Sequence, residues 1–411
     1  MNTVIKPIVK CAAGLDVHQG SIMCTVLEEQ ETGAPRRETR RYSTFPRRLK
    51  ELGRWLQERG VELAVMESTG IYWKSVYAAL EEAGVPTYLV NARHVKQVPG
   101  RKTDVADSEW LAELARCGLL KASFVPPRDL RELRLLTRYR RKLSGHLAGE
   151  KNRLHKVLED AGMRLGCVVS DIDGVSAQRM IQALTAGEKD PAKMAALALG
   201  SLRRKQEDLV LALEGDLSDR HRFLLQRISN HIRWLEEQLQ ELDSQIVAAM
   251  APYQEEWRLM QTIPGIDHLS AAMLLAEIGP DMGRFGSKEH LSSWAGMCPG
   301  NHESAGKKKR VRTPPGNKYI RQLLCEAAHS AAKTNSQFKG FFQGLVIRRG
   351  TKRAVIAVGH KLLQVLYVIL SKKEPYRDPG VDYERLVVNR NAPRWIAALQ
   401  KYGYWPPAPA A

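Results

Sequence analysis

The sequence lacks the cysteine pattern of a zinc ribbon or of a disulfide-stabilised domain. Its six cysteines are scattered through 411 residues, and no two of them form a Cys-x-x-Cys pair. Such spacing is typical of reduced thiols inside a cell. The fold should therefore depend on hydrophobic cores, and a chain of this length can supply cores for two or three domains.

Long apolar runs are also scarce. The N-terminus does not show the charged and then apolar pattern of a signal peptide. The longest mostly apolar stretch, residues 354–370, is interrupted by His360 and Lys361. Because a membrane-spanning helix needs about 20 predominantly apolar residues, we expect no membrane span and no membrane partner.

Acidic residues are fewer than basic ones. The chain has 63 lysines and arginines against 45 aspartates and glutamates, a net charge of +18 at pH 7. A surface with this excess attracts phosphate backbones, so the charge favours a nucleic acid as partner. A protein whose basic face is merely solvated is the alternative that the charge leaves open.

Four of these acids stand at the ends of predicted elements. Asp16 interrupts an apolar first strand, Glu67 ends an apolar fourth strand, and Asp104 and Asp107 begin a predicted helix. Carboxylate oxygens in such positions suit Mg²⁺, which prefers octahedral oxygen coordination. Taken singly, each acid is better explained as a turn residue, a helix-approach residue or a helix cap; together they predict a shared metal site.

The first third of the chain predicts the element order β-β-β-α-β-α-β-α. The strands are predicted at 9–17, 21–28, 36–43, 61–66 and 85–90. This order indicates a ribonuclease H-like sheet, in which the first and fourth strands would lie side by side. That arrangement would bring Asp16 and Glu67 together. Asp104 and Asp107 are three residues apart and would share one face of their helix.

Two long helices are predicted in the middle of the chain. Residues 128–156 carry ten lysines and arginines against three acids, with an apolar stripe. We interpret this basic face as a nucleic-acid contact, and a solvated helix face is the alternative. Residues 225–246 carry apolar side chains at alternating spacings of three and four, which predicts a coiled-coil seam. The seam needs a partner: an earlier helix of this chain or a second protomer.

The last third holds a Pro-Gly turn at 262–266 before an apolar helix predicted at 269–278. The pattern resembles a helix-hairpin-helix element, whose turn offers backbone N–H groups to a phosphate. Any Pro-Gly turn between two helices looks similar, however, so a plain packing turn remains open. Beyond residue 376 we expect a frayed tail.

Ser304 lies in a glycine-rich loop, and seven basic residues follow in positions 307–321. These cations could hold a phosphodiester and stabilise charge that develops during its reaction. Judged from the residues alone, a loop that contacts phosphate without covalent chemistry is the favoured reading. Ser270, Ser292 and Ser293 are weaker candidates for a nucleophile.

Several blocks together resemble the DEDD transposases of the insertion-sequence one-ten family, whose N-terminal domain resembles the Holliday-junction resolvase RuvC. The matching blocks are residues 14–18, 66–73, 102–107, 304–307 and 316–321. The last two resemble the signature of the family's transposase-20 domain. The resemblance covers residues 9–375 and is specific as a set, although each block is modest alone.

The resemblance implies roles for particular residues. Asp16, Glu67, Asp104 and Asp107 would form the acidic tetrad that holds Mg²⁺, with Mn²⁺ as an alternative, and Ser304 would be the nucleophile. Family members often have two adjacent serines at the last position, whereas this chain has one. Because the tetrad and the serine lie far apart in sequence, we expect the active site to form between domains.

The resemblance also implies partners. They are DNA, as element ends and target, a structured guide RNA from the element itself, and further copies of the chain in a dimer or tetramer. The protein would then be cytoplasmic and associated with the bacterial nucleoid. We assign nucleic-acid contacts to ten basic residues: Lys102, Arg138, Arg141, Lys142, Lys307, Lys308, Lys309, Arg310, Lys318 and Arg321.

The expected fold class is α/β plus all-α. We predict a ribonuclease H-like domain at 1–125, a basic helical neck with a coiled coil at 126–255, a mainly helical transposase-20 domain at 256–375 and a tail at 376–411. The expected function is DNA strand cleavage and rejoining through a phosphoserine. Two alternatives remain: a metal-dependent RuvC-like endonuclease with water as nucleophile, and a non-catalytic nucleic-acid-binding scaffold.

Overall fold

The computed structural model describes residues 8–31, 33–68, 70–91, 104–298, 303–304, 307–308, 313, 316–378 and 383–404. For residues 104–106, 303–304, 307–308, 383–384 and 386–387 it describes the backbone alone. The contacts divide the chain into two compact units, Met1–Arg128 and Asp129–Ala411. The finer division of the second unit into neck, transposase-20 domain and tail stays a prediction.

Unit 1 is built on a five-stranded mixed sheet. Its elements are β1 (Cys11–Val17), β2 (Ser21–Glu28), β3 (Arg36–Ser43), α1 (Pro46–Glu58), β4 (Leu63–Glu67), α2 (Trp73–Glu82), β5 (Thr87–Val90) and α3 (Asp104–Arg116). The strand order is β3-β2-β1-β4-β5. β1, β2 and β3 pair antiparallel, whereas β1, β4 and β5 pair parallel. This is the ribonuclease H-like order, so the predicted fold class is confirmed.

Helices cover both faces of this sheet. Ala13 and Leu15 of β1 and Met66 of β4 pack in one core with α1 and α2. Ala12 and Val65, which alternate with them along the same strands, pack in a second core with α3. A parallel pair covered on both faces needs apolar residues at successive positions, which is why these strands read as continuous apolar runs in the sequence.

Helix α3 runs antiparallel to β1 and contacts its backbone. At the C-terminal end of α3, the carbonyl oxygen of Arg116 accepts a hydrogen bond of 2.8 Å from the N–H of Ile8. At the other end, the carbonyl oxygen of Ser108 would lie 1.9 Å from a Cβ placed on Gly14. The Ser108 and Thr25 hydroxyls share a hydrogen bond of 2.8 Å. Gly14 therefore sets how closely α3 approaches the sheet.

Unit 2 is almost entirely helical in its described part. Its α-helices are α4 (Arg128–Asp160), α5 (Leu165–Val168), α6 (Val175–Ala186), α7 (Pro191–Ala195), α8 (Gln206–Ala212), α9 (Asp219–Ala248), α10 (Gln254–Gln261), α11 (His268–Ile278), α12 (Lys288–Trp294), α13 (Lys318–Ala331), α14 (Gln337–Arg349), α15 (Thr351–Lys372) and α16 (Tyr383–Lys401). Three 3₁₀ turns are Gly200–Lys205, Ala251–Tyr253 and Met282–Phe285. Two short strands, β6 (Glu303–Ser304) and β7 (Lys307–Lys308), form a hairpin.

The apolar seam of α9 finds a partner within the chain. Leu235 and Leu239 of α9 pack with Leu143 of α4. Arg140 of α4 donates to Asp243 near the C-terminal end of α9. The C-terminal end of α4 meets the N-terminal end of α9, so the two helices run antiparallel. Of the two partners that the sequence left open, the structure supplies the earlier helix of the same chain.

Helix α15 corrects the expectation that no segment is apolar enough to cross a membrane. It has 22 residues and a mean hydropathy of 1.8 in its most apolar window, so by length and composition it could cross a membrane. Half of that window is buried inside the protein. Val358, Leu362 and Leu366 are fully buried, and the helix packs against α12, α13 and α14. We therefore assign it as a core helix of unit 2.

Two further expectations concern helices in the last third of the chain. The expected frayed tail is wrong for Tyr383–Lys401, which form α16. The predicted pair of helices around the Pro-Gly turn is present as α10 and α11. A Cβ on Gly265 would lie 2.4 Å from the carbonyl oxygen of Ala327, so this turn packs directly on α13. Its contact with a phosphate stays a prediction.

We predict that Gly14→Ala destabilises unit 1. A methyl group at this position overlaps the Ser108 carbonyl oxygen, so α3 must move away from β1. Overpacking of this kind costs about 1–3 kcal/mol of unfolding free energy. Urea denaturation followed by circular dichroism measures the change.

Gly20→Ala is the matched control, because a Cβ on Gly20 has no atom within 4 Å. Equal losses of stability in the two variants would contradict the proposed contact between α3 and β1.

Candidate functional site

Two of the predicted acids lie next to each other on neighbouring parallel strands. Leu15 of β1 pairs in register with Met66 of β4, and Asp16 and Glu67 are the residues that follow them. Both acids fall on the α3 face of the sheet, because side chains alternate along a strand and Ala12 and Val65 mark that face. The predicted proximity of these two strand-end carboxylates agrees with this register.

The first turn of α3 lies at the same end of the sheet. Ser108 packs on Gly14, two residues before Asp16, and Asp107 directly precedes Ser108. Asp107 is also one turn before Leu111, which packs on the sheet. Asp104 is the first residue of α3, and its side chain lies outside the described residues. The helix thus carries the second pair of acids to the edge that holds the first.

The environment of these acids fits a hard cation in its donor chemistry. The donors are carboxylates, and the Asp16 side chain is 24% exposed and shares a hydrogen bond of 3.0 Å with Nε2 of His18. Within the described part of the chain, no three acid, histidine or cysteine side chains are grouped closely enough to hold an ion. Asp16, Glu67 and Asp107 are among these described side chains and do not form such a group, so the metal site of four acids stays a prediction.

The basic residues predicted to contact nucleic acid have different surroundings. Arg138 donates two hydrogen bonds, of 2.8 and 3.0 Å, to the carboxylate of Glu277. Arg141 pairs at 2.7 Å with Glu326. Lys142 is exposed on α4. Some arginines of α4 thus pair with acids of unit 2. The nucleic-acid contacts of these residues stay predictions.

The remaining basic candidates, apart from Lys102, follow Ser304 in the sequence. Lys318 begins α13, and its Nζ lies 5.2 Å from the ring centroid of Tyr319. Lys307 and Lys308 form β7, where the structure describes the backbone alone. Lys102, Lys309 and Arg310 lie outside the described residues.

The backbone of Ser304 lies in the β6–β7 hairpin, where it pairs in register with Lys307. Gly296 and Gly316, which flank this segment, are in direct contact. A Cβ on Gly316 would lie 2.3 Å from the backbone nitrogen of Gly296, and Arg321 donates to the carbonyl oxygen of Gly296 at 2.9 Å. The described residues on either side of the segment that carries Ser304 are therefore held together by direct backbone packing.

The other serine candidates differ in their surroundings. Ser292 is fully buried, and its hydroxyl donates to the carbonyl oxygen of Lys288 at 2.7 Å. The backbone N–H of Ser270 donates to the side chain of Asp267, which caps the start of α11. Ser293 is exposed on α12. The structure thus removes Ser292 from consideration.

Comparison with known proteins assigns the family. A DEDD transposase model matches residues 13–163, and a model described as transposase, IS116/IS110/IS902 family, matches residues 257–343; together they cover more than half of the chain. The chain belongs to the IS116/IS110/IS902 family of transposases. It is thus an insertion-sequence transposase, a DNA-transposing enzyme.

Similar proteins extend over most of the transposase. It is 24% identical to the transposase for insertion sequence element IS1111A of Coxiella burnetii, over 77% of this chain and 80% of the other. It is 25% identical to a probable family 20 transposase of Pseudomonas aeruginosa, over 77% and 86%. A pilin gene-inverting protein of Moraxella bovis is 29% identical over 36% and 48%.

A solved structure is also similar to part of the transposase. The RuvC structure from Thermus thermophilus shares 19% identity and covers 28% of this chain and 99% of its own, with a TM-score of 0.22. The fold assignment of unit 1 rests on the strand order described above.

We predict that Gly316→Ala opens the base of the Ser304 loop. The added methyl group overlaps the backbone at Ala295 and Gly296, and overpacking of this kind costs about 1–3 kcal/mol. Thermal unfolding of the full chain measures the loss.

Gly145→Ala serves as the control, because a Cβ there meets no atom within 4 Å and Gly145 lies inside α4. Alanine in a helix interior is favoured over glycine by about 0.5–1 kcal/mol. An increase in stability for Gly145→Ala and a decrease for Gly316→Ala are expected; a neutral Gly316→Ala would contradict the tight packing.

Proposed function

We propose that this transposase cleaves and rejoins DNA strands through a covalent phosphoserine at Ser304, with a divalent metal bound by Asp16, Glu67, Asp104 and Asp107. The observation that carries the proposal is the convergence of β1, β4 and the first turn of α3 at one edge of the sheet. That edge would collect the acids, and the membership in a transposase family supplies the reaction class.

The acidic edge would hold the metal through carboxylate oxygens. DEDD and RuvC-like nucleases generally depend on a divalent metal, and we propose Mg²⁺, with Mn²⁺ as a substitute. When bound, such an ion neutralises charge on phosphate oxygens and helps to activate an attacking or leaving oxygen. The packing at Gly14 and the Thr25–Ser108 hydrogen bond would keep the α3 carboxylates at the edge of the sheet.

The covalent step exchanges one phosphoester for another. The Ser304 hydroxyl gives up its proton, its Oγ forms a bond to phosphorus, and one bond between phosphorus and a deoxyribose oxygen breaks. The released deoxyribose oxygen takes up a proton. Attack by a second DNA end on the phosphoserine reverses these changes, so rejoining needs no nucleotide cofactor. The cluster of cations at 307–321 would stabilise the negative charge of the transition state.

Partners of the reaction follow from the charge and the family. The substrate would be DNA, as element ends and target, and an element-encoded RNA would guide the choice of site by base pairing. The net charge of +18 supports binding to such phosphate backbones. We further propose that the active form is a homodimer or homotetramer.

A water-dependent endonuclease is the second candidate function. It shares the acidic edge, and it would use Ser304 only to contact phosphate. The described structure favours neither nucleophile, because the Ser304 side chain lies outside the described residues. The membership in a transposase family argues against a scaffold without catalysis, in which the four acids would be structural residues.

We predict that Ser304→Ala abolishes the protein–DNA covalent product while DNA binding is kept. The substitution removes the nucleophilic oxygen and changes no charge. Denaturing gels of reactions with labelled element-end DNA, target DNA, element RNA and Mg²⁺ detect the product. Ser293→Ala, a change at an exposed serine, should behave as wild type. Free cleaved ends formed at the wild-type rate by Ser304→Ala would instead establish water as nucleophile.

We also predict that Asp16→Asn removes metal binding by unit 1. A ligand that binds the folded state at a hundredfold excess over its Kd stabilises that state by about 2.7 kcal/mol. Wild type should therefore show a higher Tm in Mn²⁺ or Mg²⁺ than in a chelator, and Asp16→Asn should lose the difference together with strand cleavage.

Glu109→Gln is the matched control for the metal. Glu109 lies two residues beyond Asp107 on α3, but it pairs at 2.8 Å with Arg37. Its variant should keep the metal-dependent rise in Tm. If Asp16→Asn also kept both that rise and the cleavage, the proposed metal site would be wrong.

A further inference from the structure

The apolar helix α11 contains one carboxylate, Glu277, and it is buried. Glu277 is 1% exposed, and it lies one residue before the end of α11. A buried carboxylate is costly unless cations and hydrogen-bond donors surround it. The identity of those donors therefore shows what the residue connects.

Two arginines of α4 supply the cationic side of this cluster. Arg138 donates to both carboxylate oxygens of Glu277, and its guanidinium lies 4.5 Å from the ring centroid of Tyr319. Arg134 donates at 2.8 Å to the carbonyl oxygen of Ala276 and lies 3.4 Å from the carboxylate. Burial lowers the pKa of Arg134 to about 10, which leaves it charged at neutral pH.

The third donor is Asn317, which lies between the segment that carries Ser304 and the start of α13. The side-chain N–H of Asn317 donates to Glu277 at 2.7 Å, while its oxygen accepts from the backbone N–H groups of Tyr319 and Ile320 at the start of α13. Asn317 follows Gly316, whose backbone packs on Gly296. One buried carboxylate thus joins the basic helix α4 to the C-terminal base of the loop.

We propose that Glu277 is a positioning residue for Ser304: by holding Asn317, it fixes the base of the loop in the place that the reaction requires. This inference rests on the proposed role of Ser304. Glu277 is proposed to act through Asn317 rather than by contact with the DNA. Its removal should therefore lower the yield of covalent product from bound DNA rather than the affinity for DNA.

Glu277→Gln tests the proposal, because it removes the charge and keeps the shape. Two readouts are measured on the full chain: the rate of tryptic cleavage between residues 299 and 315, and the covalent product formed per bound element-end duplex in Mg²⁺ and element RNA. We expect faster tryptic cleavage, a fall in covalent product of about 10²-fold, as small misplacements produce, and DNA affinity close to that of wild type.

Asn317→Ser keeps the test decisive if Glu277→Gln fails to fold. Serine still caps a helix N-terminus, but it is too short to reach Glu277, so the Arg138–Glu277 pair stays intact. The same two effects are expected. Wild-type values of both readouts in Asn317→Ser would overturn the proposal.

Asp243→Asn is the matched control, because it removes the acid of a partly buried ion pair on α4. Asp243 accepts hydrogen bonds from Arg140, two residues beyond Arg138, but it belongs to α9 and has no part in the base of the loop. An equal fall in covalent product for Asp243→Asn would show a general effect of α4 packing and would overturn the proposal. If wild type forms no covalent product, the proposed function fails, and the tryptic rates alone decide whether Glu277 holds the loop.

Discussion

The contact between the backbone of α3 and Gly14 is the constraint on which the acidic edge depends. The residue at this position must lack a side chain, because the Ser108 carbonyl oxygen occupies the space that a Cβ would need. The contact lies two residues before Asp16 and one residue after Asp107. It therefore sets how closely the backbone of the first turn of α3 approaches β1. A small change in sequence at Gly14 would be transmitted directly to the proposed metal site.

The acids of the proposed metal site and Glu277 differ in their exposure to solvent. In unit 1, Asp16 and Glu67 are partly exposed at a sheet edge, where water and an ion can reach them. In unit 2, Glu277 is buried, and its charge is matched by arginines and an asparagine amide. An exposed carboxylate keeps capacity for a ligand, whereas a buried and fully paired one acts as a structural tie. The surroundings of an acid, rather than its type, thus distinguish the two roles.

Basic residues show the same dependence on surroundings. The sequence of α4 suggests one continuous cationic face, yet Arg138, Arg140 and Arg141 each pair with an acid of another helix of unit 2. These acids come from α9, α11 and α13, which are distant in sequence. A count of charges on one helix cannot include them, because pairing depends on which helices pack together. Lys142 on the same helix is exposed and keeps its charge available to a partner.

Local patterns in the sequence determined the order of strands and helices along unit 1, the helix α3 that begins at Asp104, the seam of α9 and the motifs that identify the family. These features depend on residues close together in the chain, and periodicity reports them directly. Tertiary structure decided the rest: that α4 is the partner of α9, that α15 is a core helix, that residues 383–401 form a helix, and that Glu277 reaches Asn317 across forty residues of sequence. Each of these depends on packing between distant segments, and the free energy of such packing is not encoded in any one window of the chain.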